Sequence, residues 1–136
     1  MIFDKQNIFS DQQALLATAV STNVIDLGPI KTGIVRDIGK GKQIPLLIQV
    51  TETFVGATSL TVALQVDDAD TFPSPKVVWT SAAIPVADLK AGYVVGPEYI
   101  TRYTNERFMR LSYTVAGAGS AGKVTAGVTM GNQSNG

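Results

Sequence analysis

The chain has 136 residues, of which 45% are apolar and 16% are charged, and its 11 Lys and Arg balance its 11 Asp and Glu. This length suits one domain with a buried core, and a net charge of zero gives no general attraction to nucleic acid or to an anionic membrane. The absence of Cys and His excludes disulfides and zinc-thiolate sites, and it removes the commonest general base and transition-metal ligand. We therefore expect one domain without catalytic residues, a metal site or a cofactor.

The first residues do not have the pattern of a secretory signal. Asp4 and Asp11 stand where basic residues belong, and the apolar stretch from Ala14 to Val20 is short and interrupted by Thr18. No apolar run approaches the roughly 20 residues that span a bilayer. We expect a protein that is made and used without export or membrane insertion.

Residues 1–23 allow two interpretations. Ser10-Asp11-Gln12-Gln13 stands before an apolar run and has the form of a capping box that opens a helix. Strand-forming residues follow at once in 17–22, and one helical turn before extended chain is the alternative. We favour an extended N-terminal arm throughout residues 1–23.

The rest of the chain has the pattern of short β-strands. It holds 15 valines, 14 threonines and 10 isoleucines, and β-branched residues favour strands. Apolar residues alternate with others most strictly in 60–67, 109–115 and 124–130, which indicates strands with one buried face. In chain order, the predicted strands are 24–27, 44–51, 60–67, 76–82, 93–95, 109–115 and 124–130, with a short helical turn at 86–91. Short strands separated by turn residues predict an antiparallel sandwich, barrel or jelly roll, in one domain over 1–136 with a flexible tail at 131–136.

Two motifs suggest ligands and have simpler explanations. Asp67, Asp68 and Asp70 resemble a calcium loop, but the spacing of an EF-hand is absent. We predict a turn in which these carboxylates cap backbone amides above Phe72, with a looser calcium site as the alternative. Residues 117–123 fit a glycine-rich phosphate loop, but a strand follows instead of a helix, so we predict a hairpin loop.

Aromatic and basic residues near the C-terminal half suggest a contact surface for a partner. Tyrosine with arginine is a common interface pairing, and stacking on single-stranded nucleic acid is disfavoured by the zero net charge and nearby acidic residues. Apolar residues of the N-terminal arm are the other candidates. The predicted interface residues are Ile2, Phe3, Phe9, Tyr99, Arg102, Tyr103, Arg107 and Arg110.

Several segments, in this order and spacing, carry a resemblance to a known family. They are Met1-Ile2-Phe3-Asp4, residues 9–14, 21–28, 37–39, 64–68 with 71–75, 110–115 and 121–127. The chain resembles over nearly its whole length the small capsid cement (decoration) proteins of short-tailed phages, the type known from a Bordetella phage. The Lys- and Arg-rich stretch 30–42 has no counterpart in this pattern.

The resemblance implies an all-β, jelly-roll-like antiparallel β-sandwich with an extended N-terminal arm. It implies a structural virion protein, made in the cytoplasm of a bacterial host, that binds the outer capsid surface at junctions between major capsid proteins and stabilises the shell. The implied partners are the major capsid protein and further copies of the chain, as a homodimer or homotrimer, without nucleic acid or membrane. We expect deletion of residues 1–13 to leave the fold intact and to weaken oligomerisation or shell binding.

A carbohydrate-binding β-sandwich module of a phage tail or a secreted enzyme is the main alternative. Such modules usually present several aromatic rings to sugars, whereas this chain has one Trp and four Tyr. The neighbours of Trp79 along its strand place it in the predicted core. A small carboxylate-based enzyme is a third class, and no motif supports it.

Overall fold

The computed structural model describes residues 3–28, 44–95, 99–100 and 106–129, with backbone alone for residues 3–6. Nearly all of the secondary structure in these ranges is β-strand, and the one helical element among them is a 3-10 turn, Val86–Asp88. The strands are β1 (Phe3–Ala14), β2 (Ala19–Val20), β3 (Ile25–Asp26), β4 (Leu46–Val55), β5 (Ser59–Asp67), β6 (Lys76–Thr80), β7 (Ile84–Pro85), β8 (Val94–Val95), β9 (Phe108–Ala116) and β10 (Ala121–Thr129).

The strands form two antiparallel sheets that pack as a sandwich. The first sheet has the order β1-β10-β4-β8, and the second has the order β2-β9-β5-β6. In the second sheet β3 continues β2 along β9, and β7 continues β6 along β5. Counting each of these pairs as one interrupted strand leaves eight strands, in the orders 1-8-3-6 and 2-7-4-5. This is the strand order of a jelly roll, a double-sheet fold built from two Greek keys.

The centre of the second sheet is the pairing of β5 with β9. Nine residue pairs match without a register shift, from Ser59 with Ala116 to Asp67 with Phe108. Because side chains alternate between the two faces of a strand, every second residue points into the sandwich. These inward residues are Leu60, Val62, Leu64, Val66, Met109, Leu111, Tyr113 and Val115, and none is more than 8% exposed. The period-two pattern of the sequence therefore corresponds directly to the core.

The first sheet supplies the other half of the core. β4 and β10 contribute a matching apolar row, which consists of Leu46, Ile48, Val50, Phe54, Val124 and Ala126. β4 extends to Val55, four residues beyond the predicted end at 51. Pro45 lies immediately before the strand, where its missing N–H removes no internal ladder bond.

The extended chain favoured over a helical turn for residues 1–23 is confirmed for β1, but β1 is an integral strand of the sandwich and not a separate arm. β1 pairs with β10 along its length, and the side chains of Phe9 and Leu15 are fully buried in the core. The pairing contains three register shifts, and Gln12 has a positive φ of 45°. These irregularities break the period-two pattern that would have indicated an integral strand. Deleting residues 1–13 would remove a strand and a core aromatic ring, so the expectation that the fold survives this deletion is also reversed.

A buried hydrogen-bond network joins β1 to the opposite sheet. The Ser10 Oγ donates to Gln13 Oε1 at 2.7 Å, so the Tyr113 hydroxyl, 2.8 Å from Ser10 Oγ, is the donor to Ser10. Gln13 in turn donates to the Val20 carbonyl and accepts from the Thr22 amide. Burial raises the pKa of the Tyr113 phenol above its ordinary value, and the hydrogen bond with Ser10 opposes this shift.

The glycine-rich segment 117–123 contains a loop between two strands, as predicted, but the prediction of a hairpin is wrong: β9 belongs to the second sheet and β10 to the first, so the loop connects the two sheets. Within it Gly122 has a φ of +143°, and a Cβ built there would lie 2.6 Å from Cγ of Phe54. Glycine is therefore required by both the backbone conformation and the packing of the Phe54 ring. The predicted tail, residues 131–136, lies outside the described residues.

We expect Gly122→Ala to destabilise the fold by about 2–4 kcal/mol, because it combines overpacking against Phe54 with an unfavourable φ. Gly92→Ala is the matched control: Gly92 also has a positive φ, +96°, but nothing lies within 4 Å of a Cβ built there. The unfolding free energy of this control should fall by only about 1 kcal/mol. Urea unfolding of both variants measures the difference, and equal losses would contradict the packing argument.

We expect the folded chain to lose stability as the pH rises above about 10, the ordinary pKa of tyrosine. The raised pKa of Tyr113 in the folded state means that the unfolded chain ionises first, so stability that is complete below that pH is lost above it. Tyr113→Phe should cost about 1 kcal/mol at pH 7 through the lost hydrogen bond and should flatten this alkaline loss. The measurement is the unfolding free energy at pH 7, 9 and 10.5, with the unmodified chain as control. An unchanged slope in the variant would exclude Tyr113 as the cause.

Candidate functional site

Arg107, one of the predicted interface residues, lies just before β9 and is bound to the neighbouring strand. Its Nε and Nη2 donate to the two carboxylate oxygens of Asp26, each at 2.9 Å. Its guanidinium also lies 4.9 Å from the centre of the Phe108 ring. The hydrogen bonding of Arg107 to the Asp26 carboxylate raises the pKa of Arg107, although burial acts in the opposite direction. Both side chains are well exposed, so this ion pair orients the arginine and stabilises the fold little.

Arg110, the second arginine, lies across the outer side of the second sheet. Its Nε donates to Gln65 Oε1 at 2.9 Å, and its guanidinium stacks over the Phe72 ring at 4.1 Å. Burial lowers the pKa of Arg110, and the negative charge of Asp67 opposes this shift. The arginine is therefore held flat against the protein by a hydrogen bond, a cation–π contact and a nearby carboxylate.

The acidic loop after β5 is an amide-capping turn, which confirms the simpler of the two predictions for it. Asp67 accepts hydrogen bonds from the amides of Ala69 (3.1 Å) and Ser74 (2.9 Å). Burial raises the pKa of Asp67, but the amides of Ala69, Ser74 and Asp68 lower it, as does the charge of Arg110. The net pKa is below the ordinary value.

Phe72 is buried under this loop, with 5% of its surface exposed, as expected. Within the described ranges no three acidic side chains group closely enough to hold a metal ion. Across the same ranges no helix has the length and hydropathy needed to cross a membrane.

Six charged residues gather at this end of the second sheet, and we call them the charged end. They are Asp26, Asp67, Lys76, Glu106, Arg107 and Arg110. Besides the contacts above, Lys76 Nζ lies 3.5 Å from Glu106 Oε1. Within this set three positive and three negative groups face one another, and Asp70 of the adjoining loop adds a further negative charge that acts on Arg107.

Away from the charged end, the outward residues of the two central strands of the second sheet are uncharged. We call the outward-facing residues of the eight pairs that follow Asp67–Phe108 the β5/β9 face; they are Ser59, Thr61, Ala63, Gln65, Arg110, Ser112, Thr114 and Ala116. Seven of the eight are uncharged, and all eight are half-buried or exposed. Cross-strand rows extend the face to the flanking strands, since Val20 pairs with Ser112 and Thr80 pairs with Ala63. Val20 is 42% exposed, and Val77, which pairs with Gln65, is 52% exposed, so the face presents hydroxyls, methyls and two valine side chains to solvent.

Of the remaining predicted interface residues, Tyr99 and Phe9 have described side chains, and neither joins this surface. Tyr99 is 38% exposed, but it bridges to Pro45 beside the first sheet. Phe9 is 0% exposed and belongs to the core, so its prediction as an interface residue is wrong; its ring fills the space between the sheets. Phe3 lies in β1 with only its backbone described, and Ile2, Arg102 and Tyr103 lie outside the described residues.

The β5/β9 face was missed at the level of sequence. The alternation did show Arg110, Ser112 and Thr114 on one side of their strand. One feature of the sequence could have revealed this face. The outward positions of both central strands hold mostly Ser, Thr and Ala, whereas the outer side of a solvent-exposed sheet usually carries charged residues.

An open groove of about 400 Å³ lies where the edges of the two sheets meet. It is lined by Trp79, Thr80, Ser81, Ala82, Ile84, Tyr93 and Val95. Trp79, which the sequence placed in the core, is half-buried and packs against the core residues. One side of it borders the groove. The Ser81 hydroxyl is already engaged, since it accepts from the Val62 amide and donates to the Ala82 carbonyl.

A protein-family model covers most of this fold. A family model described as Bbp16 matches residues 9–128, which run from within β1 to the end of β10. No curated protein matches the chain. The family name is of the Bordetella-phage type and indicates a phage protein. A match that covers most of the chain and both sheets of the jelly roll places this chain in the Bbp16 family.

Proposed function

We propose that this chain is a non-catalytic capsid cement protein, which binds the outer surface of a phage capsid at junctions between major capsid proteins and stabilises the shell. It is made in the cytoplasm of the bacterial host and acts on the virion. Its partners are the major capsid protein and further copies of itself.

The observation that carries this proposal is the extent of the family match. Residues 9–128 include both sheets and nearly all of the described core, so the phage-type family corresponds to the jelly roll itself rather than to an appended segment. Double-sheet jelly rolls are recurrent in viral capsid proteins. Several sequence segments resemble those of cement proteins in their order and spacing along the chain, and this resemblance supports the same function.

The physical basis of stabilisation is mass action. A protein that binds the assembled shell, but not the separated subunits, shifts the equilibrium towards assembly by RT ln(1 + [L]/Kd) for each occupied site. At a free concentration 100 times Kd this is about 2.7 kcal/mol for each site. Repetition over a symmetric lattice makes the sum large even if each contact is weak.

A carbohydrate-binding module is the second candidate, and the groove beside Trp79 is the observation that favours it. The groove has the volume of a small-ligand site, and Tyr93, 38% exposed, borders it together with Trp79. Sugar rings bind such aromatic side chains by stacking. A glycan array with the purified chain separates the two candidates, because a cement protein should bind no glycan on it.

We expect purified chain to bind shells that lack it and to raise the temperature at which they disassemble. Shells assembled from the major capsid protein alone are mixed with increasing amounts of the chain, sedimented and quantified. Binding should saturate at a fixed ratio to the major capsid protein, because the sites repeat with the lattice.

Unassembled major capsid protein is the control and should bind far less. The shift in disassembly temperature should follow the occupancy of the sites. Absence of binding to the shell, or binding without any thermal shift, would contradict the proposal.

A further inference from the structure

The β5/β9 face differs from the rest of the surface in its regularity. The nine pairs between β5 and β9 contain no register shift, whereas the pairing of β1 with β10 contains three and that of β10 with β4 contains two. Bulges bend a sheet and increase its twist. The pairing beneath the β5/β9 face is therefore the longest uninterrupted one among the described strands.

Its chemistry suits burial against a protein. Interface cores are depleted in charged residues, and the only charged member of this face, Arg110, is already held by Gln65, Phe72 and the charge of Asp67. At the neighbouring charged end each group also faces an opposite charge. Covering the face would leave no charge without a partner, so the usual desolvation penalty for a buried lone charge is avoided.

The other candidate surfaces are less suited to docking. β1, at the edge of the first sheet, is interrupted by its register shifts, and β6, at the edge of the second, contains a further shift and begins with Lys76. Bulges and lysines on edge strands act against pairing with another chain. The outer side of the first sheet carries the Lys123–Glu52 ion pair. Leu47 of β4 lies between two core residues along its strand, and it is already 98% buried within the chain.

The size of the face indicates the kind of occupant. Four strands about 4.8 Å apart and nine residues of about 3.3 Å each give a surface of about 570 Å². An area of this size is below the roughly 800 Å² per partner of a standard protein interface. A single contact of this kind is weak, and it becomes firm where identical sites repeat on one particle.

We propose that the β5/β9 face is the surface that lies against the capsid shell, on an uncharged, flat patch of the major capsid protein. This rests on the proposed function. Because no unpaired charge takes part, binding to the shell depends little on ionic strength.

The experiment compares a substitution on this face with a matched one on the other sheet. Thr114→Arg places a charge in the middle of β9, and Thr51→Arg places the same charge on β4; both threonines are exposed and lie in strands with a partner on each side. Thr114→Asp tests the opposite charge. Each variant is added to shells in the sedimentation assay, after its unfolding midpoint and its oligomeric state in solution have been measured.

Both Thr114 variants should bind the shell at least about tenfold more weakly, since a charge of either sign would be buried without a partner. Thr51→Arg should bind as the unmodified chain does, and the affinity of the unmodified chain should change by less than about threefold between 50 and 500 mM NaCl.

Equal binding by Thr114→Arg and Thr51→Arg, or a steep salt dependence, would overturn the proposed orientation while leaving the cement function intact. A Thr114→Arg chain whose oligomeric state changes would also overturn it, because the face would then join copies of the chain. Failure of the unmodified chain to bind shells would instead contradict the proposed function.

Discussion

The uninterrupted pairing of β5 with β9 is the constraint on which the rest of this structure depends. Nine pairs in one register fix two surfaces at once, because alternate residues point to opposite sides. The inward set, from Leu60 and Leu111 to Tyr113, builds half of the core. The outward set is uncharged except for Asp67 and Arg110 at one end. A one-residue slip would exchange the two sets and expose the core, so the apolar pattern that specifies the fold also specifies the face.

Around this pair the other strands are irregular, and the irregularity has physical consequences. β1 carries register shifts and a residue with positive φ, yet it is tied to the opposite sheet through the hydrogen bond between Ser10 and Tyr113. The buried hydroxyls satisfy each other and hold the two sheets at one side of the sandwich. Bulged edges protect a β-sandwich from adding further strands, which directs contacts with partners to its faces.

The sequence predicted the fold where apolar residues alternate without interruption, as in 60–67, 109–115 and 124–130, and it predicted the capping role of Asp67. It predicted a loop at 117–123 but wrongly made it a hairpin, because no local pattern shows that β9 and β10 belong to different sheets. It failed at residues 1–23 because bulges destroy the alternation, so an integral strand had the pattern of a detached arm. Phe9 was assigned to an interface for the same reason. Arg107 and Arg110 were predicted as interface residues, but their engagement with Asp26, Gln65 and Phe72 depends on strand pairing that no local pattern reveals. The β5/β9 face was missed because serine, threonine and alanine carry no signal individually and acquire one only when two strands are aligned.

A jelly roll with one largely uncharged face, a family match over residues 9–128 and a surface too small for a firm single contact together support a protein that acts in many copies on a lattice. The most direct test is the copy number of this chain in purified virions of the phage that encodes it, measured by quantitative mass spectrometry against the major capsid protein. The account predicts a number comparable to that of the major capsid protein and fixed from one preparation to the next. A handful of copies in each virion would place the chain at the tail or another unique site, and its absence from virions would contradict the cement function altogether.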